Sequence, residues 1–96
     1  ACTIFMNTTI SVEDVYDLDL FDTKKEVIHE LKNRGITVIC YFSAGTLENW
    51  RPDKHLFPSE GIGNSLSEWA GENWIDVRNR KIRQIMQARI ILAKYK

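Results

Sequence analysis

Ile36-Thr37-Val38-Ile39-Cys40-Tyr41-Phe42 decides the fold. The stretch is rich in β-branched and aromatic residues and apolar on both faces, as a parallel strand must be when a helix covers one side and core the other. Gly35, directly before it, suits the position just past a helix end. Upstream, Val27, Ile28 and Leu31 fall on one face of a helix, with Lys24, Lys25, Glu30 and Lys32 flanking that face. Thr23 with Glu26 three residues on has the spacing of a capping box, so the helix is expected to start there. Before it, Val15 to Leu20 reads as a short strand. Strand, helix and strand together make a βαβ unit of α/β class, right-handed by default. Both strand ends, near Asp19 and Ser43, then reach one rim, where ligands of such folds bind.

Downstream, residues 43 to 78 hold all three tryptophans, four of the five glycines and both prolines. Connections of this length are usually functional or disordered. Trp50, Trp69 and Trp74 are costly to leave in a floppy segment, so the stretch is expected to be an ordered loop with a short helical turn around Ser65 to Trp69. A last helix follows from about Asn79, its cap, to Tyr95, with Ile82, Ile85, Met86, Ile90 and Ala93 on one face. Arg89 falls in the middle of that face and needs a carboxylate or carbonyl partner. No internal repeat or low-complexity tract interrupts the 96 residues.

Apolar residues make up 44% of the chain, charged residues 27% and aromatics 10%, which is the composition of a folded globular protein. Thirteen basic and thirteen acidic side chains cancel, leaving no net field to steer the chain toward nucleic acid or an anionic membrane. No run approaches the roughly 18 apolar residues of a membrane span, and no charged-then-apolar leader opens the chain. The start at Ala1 rather than Met suits a processed product or a fragment. Cys2 and Cys40 are too few for a disulfide framework and lack zinc or redox spacing. Cys40 lies in an apolar run, which favours a free buried thiol over a bridge to Cys2. Asn7-Thr8-Thr9 is a glycosylation sequon and tips the compartment slightly toward secretion.

Several residues could carry chemistry. Asp17 and Asp19 lie on one face of the first strand, about 7 Å apart, with Asp22 beyond. They could hydrogen-bond sugar hydroxyls, hold a divalent cation, or serve as caps and ion-pair partners. Tyr41 and Ser43 alternate on the second strand and project opposite Phe42, for substrate contact or packing. Glu48-Asn49-Trp50-Arg51 combines a carboxylate, an aromatic plate and a guanidinium, parts that sugar sites commonly need, although arginine stacked on tryptophan also stabilises surface loops. Asp76 paired with Arg78 is the plain reading of Trp74-Ile75-Asp76-Val77-Arg78. His29 and His55 lack the neighbours of a triad or metal site and read as structural.

Taken together, Val15-Tyr16-Asp17-Leu18-Asp19-Leu20-Phe21-Asp22, Val38-Ile39-Cys40-Tyr41-Phe42-Ser43-Ala44-Gly45 and Glu48-Asn49-Trp50-Arg51-Pro52-Asp53 closely resemble consecutive motifs of glycoside hydrolase family 114. Phe57-Pro58, Trp69 to Arg78 and Ile85-Met86-Gln87-Ala88-Arg89 extend the resemblance over about residues 15 to 95. It implies a TIM-barrel glycosidase cleaving O-glycosidic bonds in α-linked galactose- or galactosamine-type polysaccharides, with members described as α-galactosidases or endo-α-1,4-polygalactosaminidases. It also implies an extracellular setting, a polysaccharide or oligosaccharide substrate and no cofactor or metal. A complete (β/α)8 barrel needs roughly 250 residues, so residues 1 to 96 are expected to be the N-terminal portion of the barrel domain, two to three βα units. The family's opening strand is not recognisable in residues 1 to 10.

Carried over by position, Asp17, Asp19, Tyr41, Ser43, Glu48, Trp50 and Asp76 are the substrate-binding candidates. Glu48 and Asp76 are the only acid–base candidates. Glycoside cleavage generally needs two carboxyl groups, and the family's acid-bearing strand is expected beyond Lys96. The isolated chain is therefore expected to be inactive, and to self-associate through exposed edges and apolar faces. Two other functions fit the same residues: a non-catalytic carbohydrate-binding remnant, and a metal-dependent sugar-nucleotide binder using Asp17 and Asp19.

Overall fold

A computed structural model describes Cys2 and residues 14 to 96. The sequon Asn7-Thr8-Thr9 and, Cys2 apart, the expectations for residues 1 to 10 lie outside the described residues. The elements are β1 (Val15–Asp19), α1 (Lys25–Asn33), β2 (Thr37–Tyr41), β3 (Thr46–Glu48), two 3-10 turns (Lys54–Leu56 and Ser59–Gly61), β4 (Ile62–Ser65), β5 (Glu72–Ile75) and α2 (Arg80–Tyr95). The class is mixed α/β, as the sequence predicts. The chain divides into two compact units, Ala1–Phe42 with Arg89–Lys96, and Ser43–Ala88.

The first unit is the βαβ. β1 and β2 pair in parallel from Val15 opposite Thr37 to Asp19 opposite Tyr41. Alternation turns Leu18, Val38 and Cys40 to one side, where they pack with Leu20, Ile28 and Ala93. Leu20, Ile28 and Val38 are fully buried. Val27, expected on the inward helix face, is exposed.

The expected capping box at Thr23 does not form. Asp19 Oδ1 accepts the backbone N–H groups of Phe21 and Asp22, each at 2.9 Å, and the Asp19 carbonyl accepts that of Thr23. This turn carries the chain past Thr23, and Lys24 takes the N-cap position without a side-chain bond. The far end matches expectation: Gly35 sits at φ 80, its N–H reaches the Lys32 carbonyl, and Ile36 N–H reaches that of Leu31.

Two expectations for this unit are overturned. Cys2 and Cys40 form a disulfide with a Cα–Cα separation of 5.7 Å, within the ordinary span of such a bridge. Cys2 is held there because its N–H donates to the Ala93 carbonyl at 2.9 Å, a contact 91 residues away along the chain that local sequence cannot signal. In α2, Ile90 is about half exposed, whereas Arg89 is buried at 2%. Counting i, i+3, i+4, i+7 and i+11 from Ile82 gives 85, 86, 89 and 93, so the inward stripe runs through Arg89 and Ile90 lies at its margin. The Arg89 guanidinium lies over the Phe21 ring, 5.1 Å from its centroid. No buried side-chain nitrogen or oxygen among the described residues lacks a hydrogen-bond partner.

The second unit is built on an antiparallel sheet of order β3-β5-β4. The segment read as an irregular loop therefore holds three strands, and the turn expected at Ser65 to Trp69 is not helical. Ser65 belongs to β4 and pairs with Asn73, Leu66 N–H donates to the Glu72 carbonyl at 2.8 Å, and Gly71 turns the chain at φ 80. A register shift between Ile62 and Ser65 marks a bulge. Leu47, Phe57, Ile82 and Ile85 form the core of this unit, joined by Ile62, Ile75 and Met86. Asn79 caps α2 as expected, its Oδ1 accepting from Lys81 N–H at 2.9 Å and Ile82 N–H at 3.3 Å.

Candidate functional site

On the first unit, parallel in-register pairing puts Asp17, Asp19, Ile39 and Tyr41 on the sheet face opposite Leu18, Val38 and Cys40. Asp19 and Tyr41 are direct cross-strand neighbours. Asp17 is exposed and Tyr41 is half exposed, so a carboxylate and a phenol face solvent together. Asp19 is committed on one oxygen to the turn at Phe21 and Asp22. That commitment argues against the paired-aspartate cation reading, because hard cations demand several free oxygens. Among the described residues no group of three or more His, Cys, Asp or Glu side chains is placed to hold a metal.

The second unit carries Ser43, Glu48, Trp50 and Asp76. Antiparallel register sets Thr46 opposite Trp74 and Glu48 opposite Glu72, on the sheet face away from the Leu47 core. Thr46 Oγ1 donates to Glu72 Oε1 at 2.5 Å. A carboxylate only accepts, so the Thr46 proton is used there and the Ser43 hydroxyl donates to Thr46 Oγ1. Ser43, Thr46 and Glu72 form a short polar chain. Sequence reading missed Thr46 and Glu72, which lie 26 residues apart and meet only through strand pairing.

Glu48 and Arg51 are both buried, at 5% and 4% exposure. Arg51 Nε donates to Glu48 Oε1 at 3.0 Å and Nη2 to Oε2 at 3.4 Å, a two-pronged pair. The guanidinium also lies 5.9 Å from the centroid of Trp50, whose ring is half exposed. The motif thus holds an outward aromatic plate on an inward ion pair. Both Glu48 oxygens accept from Arg51, which ties this carboxylate to the turn that follows β3.

Asp76 accepts from Arg78 Nε and Nη2, both at 2.9 Å, and from Arg78 N–H at 3.0 Å. The side-chain hydrogen bonds from Arg78, then its backbone N–H, lower the Asp76 carboxyl pKa from 3.8 to about 2. Such a group is ionised throughout the neutral range and is a poor proton donor there. A depressed carboxyl contributes stability that is present above 3.8 and is lost as pH falls toward 2. In the Arg78→Ala variant the Asp76 carboxyl should titrate near 3.8, read by carbon NMR of its carboxyl; an unchanged low midpoint would mean that another donor holds it. His29 and His55 are exposed, on α1 and on the first 3-10 turn.

The model of glycoside-hydrolase family GH114 matches residues 5–96. Among solved structures, the crystal structure of Aspergillus fumigatus Ega3 in complex with galactosamine is 44% identical with a TM-score of 0.82. The match covers 92% of this chain and 35% of that one, so the chain spans about a third of that protein's length. Among curated proteins nothing matches.

Proposed function

Because the chain belongs to glycoside-hydrolase family GH114, we propose that it is a segment of a (β/α)8-barrel glycosidase that cleaves O-glycosidic bonds in α-linked galactosamine-type polysaccharide. The observation that carries this reading is the 44% identity over 92% of the chain to a protein crystallised with galactosamine. Galactosamine is favoured over galactose as the sugar because that structure holds the amino sugar.

The βαβ unit supports the barrel reading, since parallel strands joined by a helix are its repeating element. A two-stranded parallel sheet is marginal by itself and needs further strands at its edges. Ile91, Leu92 and Tyr95 on α2 are exposed, as helix residues awaiting further packing would be. Asp17, Asp19 and Tyr41 on one unit, and separately Ser43, Glu48, Trp50 and Asp76 on the other, are the groups proposed to contact substrate or shape its surroundings. The disulfide supports an extracellular setting, because such bridges persist in oxidising compartments.

The test is release of reducing ends from α-1,4-linked galactosamine polymer by the full-length protein. Turnover is expected with the full-length protein and not with the 96-residue chain; full-length protein that releases nothing would refute the assignment.

A further inference from the structure

Besides Trp50, the second unit exposes two tryptophans on one hairpin. Trp69 is 63% exposed and Trp74 56%. With Leu66, Ser67 and Glu68 they line an open groove of about 210 Å³. We propose that this groove binds one cationic hexosamine unit of the polymer; the ligand class rests on the galactosamine reading above.

Rigidity is the first argument. The hairpin that carries both rings is fixed at several points. Leu66 N–H donates to Glu72, Asn73 Nδ2 donates to the Gly63 carbonyl at 3.1 Å, and Asn49 N–H donates to the Gly71 carbonyl at 2.9 Å. Gly71 has φ 80, and a Cβ there would come within 2.7 Å of the Asn49 amide, so the turn requires glycine. Two large rings sit on a hairpin whose backbone is already ordered before a ligand arrives.

Chemistry is the second. The two exposed rings flank a concavity rather than a flat patch, the usual form of a ligand site. Indole faces suit the apolar face of a pyranose ring. Tryptophan is also the best partner for a cation over its face, and Glu68 adds a carboxylate to the same groove. Stacking surface, π face and negative charge converge on a sugar bearing an ammonium group. A neutral or N-acetylated hexose would use only the first of the three.

The experiment uses the full-length protein and its Trp69→Ala, Trp74→Ala and Glu68→Gln variants. Binding of immobilised α-1,4-linked galactosamine polymer is measured for each. Each tryptophan variant should weaken polymer binding about threefold, the scale of one exposed aromatic contact to a cation. Glu68→Gln should narrow the preference for free-amine over N-acetylated polymer. Unchanged polymer binding in both tryptophan variants would overturn the proposal. So would iodide quenching that shows both rings shielded in the full-length protein. If the full-length protein turns over no galactosamine polymer yet the variants still lose binding, the groove stands and the hydrolase reading fails.

Discussion

Arg51→Ala is expected to destabilise the fold by about 3–5 kcal/mol, the cost of leaving a buried charge without its partner. The side chains of Arg51 and Glu48 are only 3% and 7% exposed, so water cannot replace the lost guanidinium without opening the structure. Strand register makes matters worse, because Glu48 lies directly opposite Glu72 on the neighbouring strand. Like charges at opposed positions repel. Thr46 bonds to Glu72, and the Arg51 cation is paired with Glu48.

The measurement is denaturant unfolding, read as a fall in midpoint at constant slope. Exchanging both partners, as Glu48→Met with Arg51→Met, should cost much less than Arg51→Ala, because it removes the stranded charge along with its partner. A single-variant loss below about 1 kcal/mol, the scale of an exposed pair, would show that solvent reaches the site. Trp50 provides a second readout. Its ring rests beside the same guanidinium, so its emission should shift in Arg51→Ala even where the fold persists.

Reduction of the Cys2–Cys40 bridge is the second large effect. The bridge closes a loop of 38 residues, for which the chain-entropy account gives about 4 kcal/mol. Cys2 also anchors the start of the chain to the first core, where it is 6% exposed and bonded to Ala93. Unfolding with and without reductant, and of Cys2→Ser, should show matching losses. Equal stability in all three would mean that the bridge constrains nothing in the unfolded chain. A loss with reductant but none in Cys2→Ser would point to native contacts of the serine that replace the bridge.

How much of this was legible beforehand depended on the range of the forces involved. The helix ends are instructive. Gly35 and Asn79 declared themselves because a left-handed residue and a side-chain cap act within four residues of their position. Thr23 had the right partner at the right spacing and still failed, because Asp19 captured the turn before it. The antiparallel sheet was invisible for another reason. β3, β4 and β5 have only three or four residues each, too few for alternation to stand out, and β3 finds β5 across more than twenty residues.

The site follows the same division. Glu48, Trp50 and Arg51 could be singled out as a trio, but which of the three faced water could not. The structure buries Glu48 and Arg51 and leaves Trp50 half exposed; alternation along β3 sets Glu48 on the face opposite Leu47, and its ion pair with Arg51 closes in the turn that follows. Asp76 and Arg78 pair as read, two residues apart.

By itself, then, the sequence determined the βαβ unit, both helices, the α/β class and the family, since periodicity, caps and motif strings are written in neighbouring residues. The disulfide, the three-stranded sheet and the Ser43-Thr46-Glu72 chain were decided by tertiary structure alone. Each depends on residues that are distant along the chain and adjacent only once strands have paired and a core has chosen which side chains it encloses.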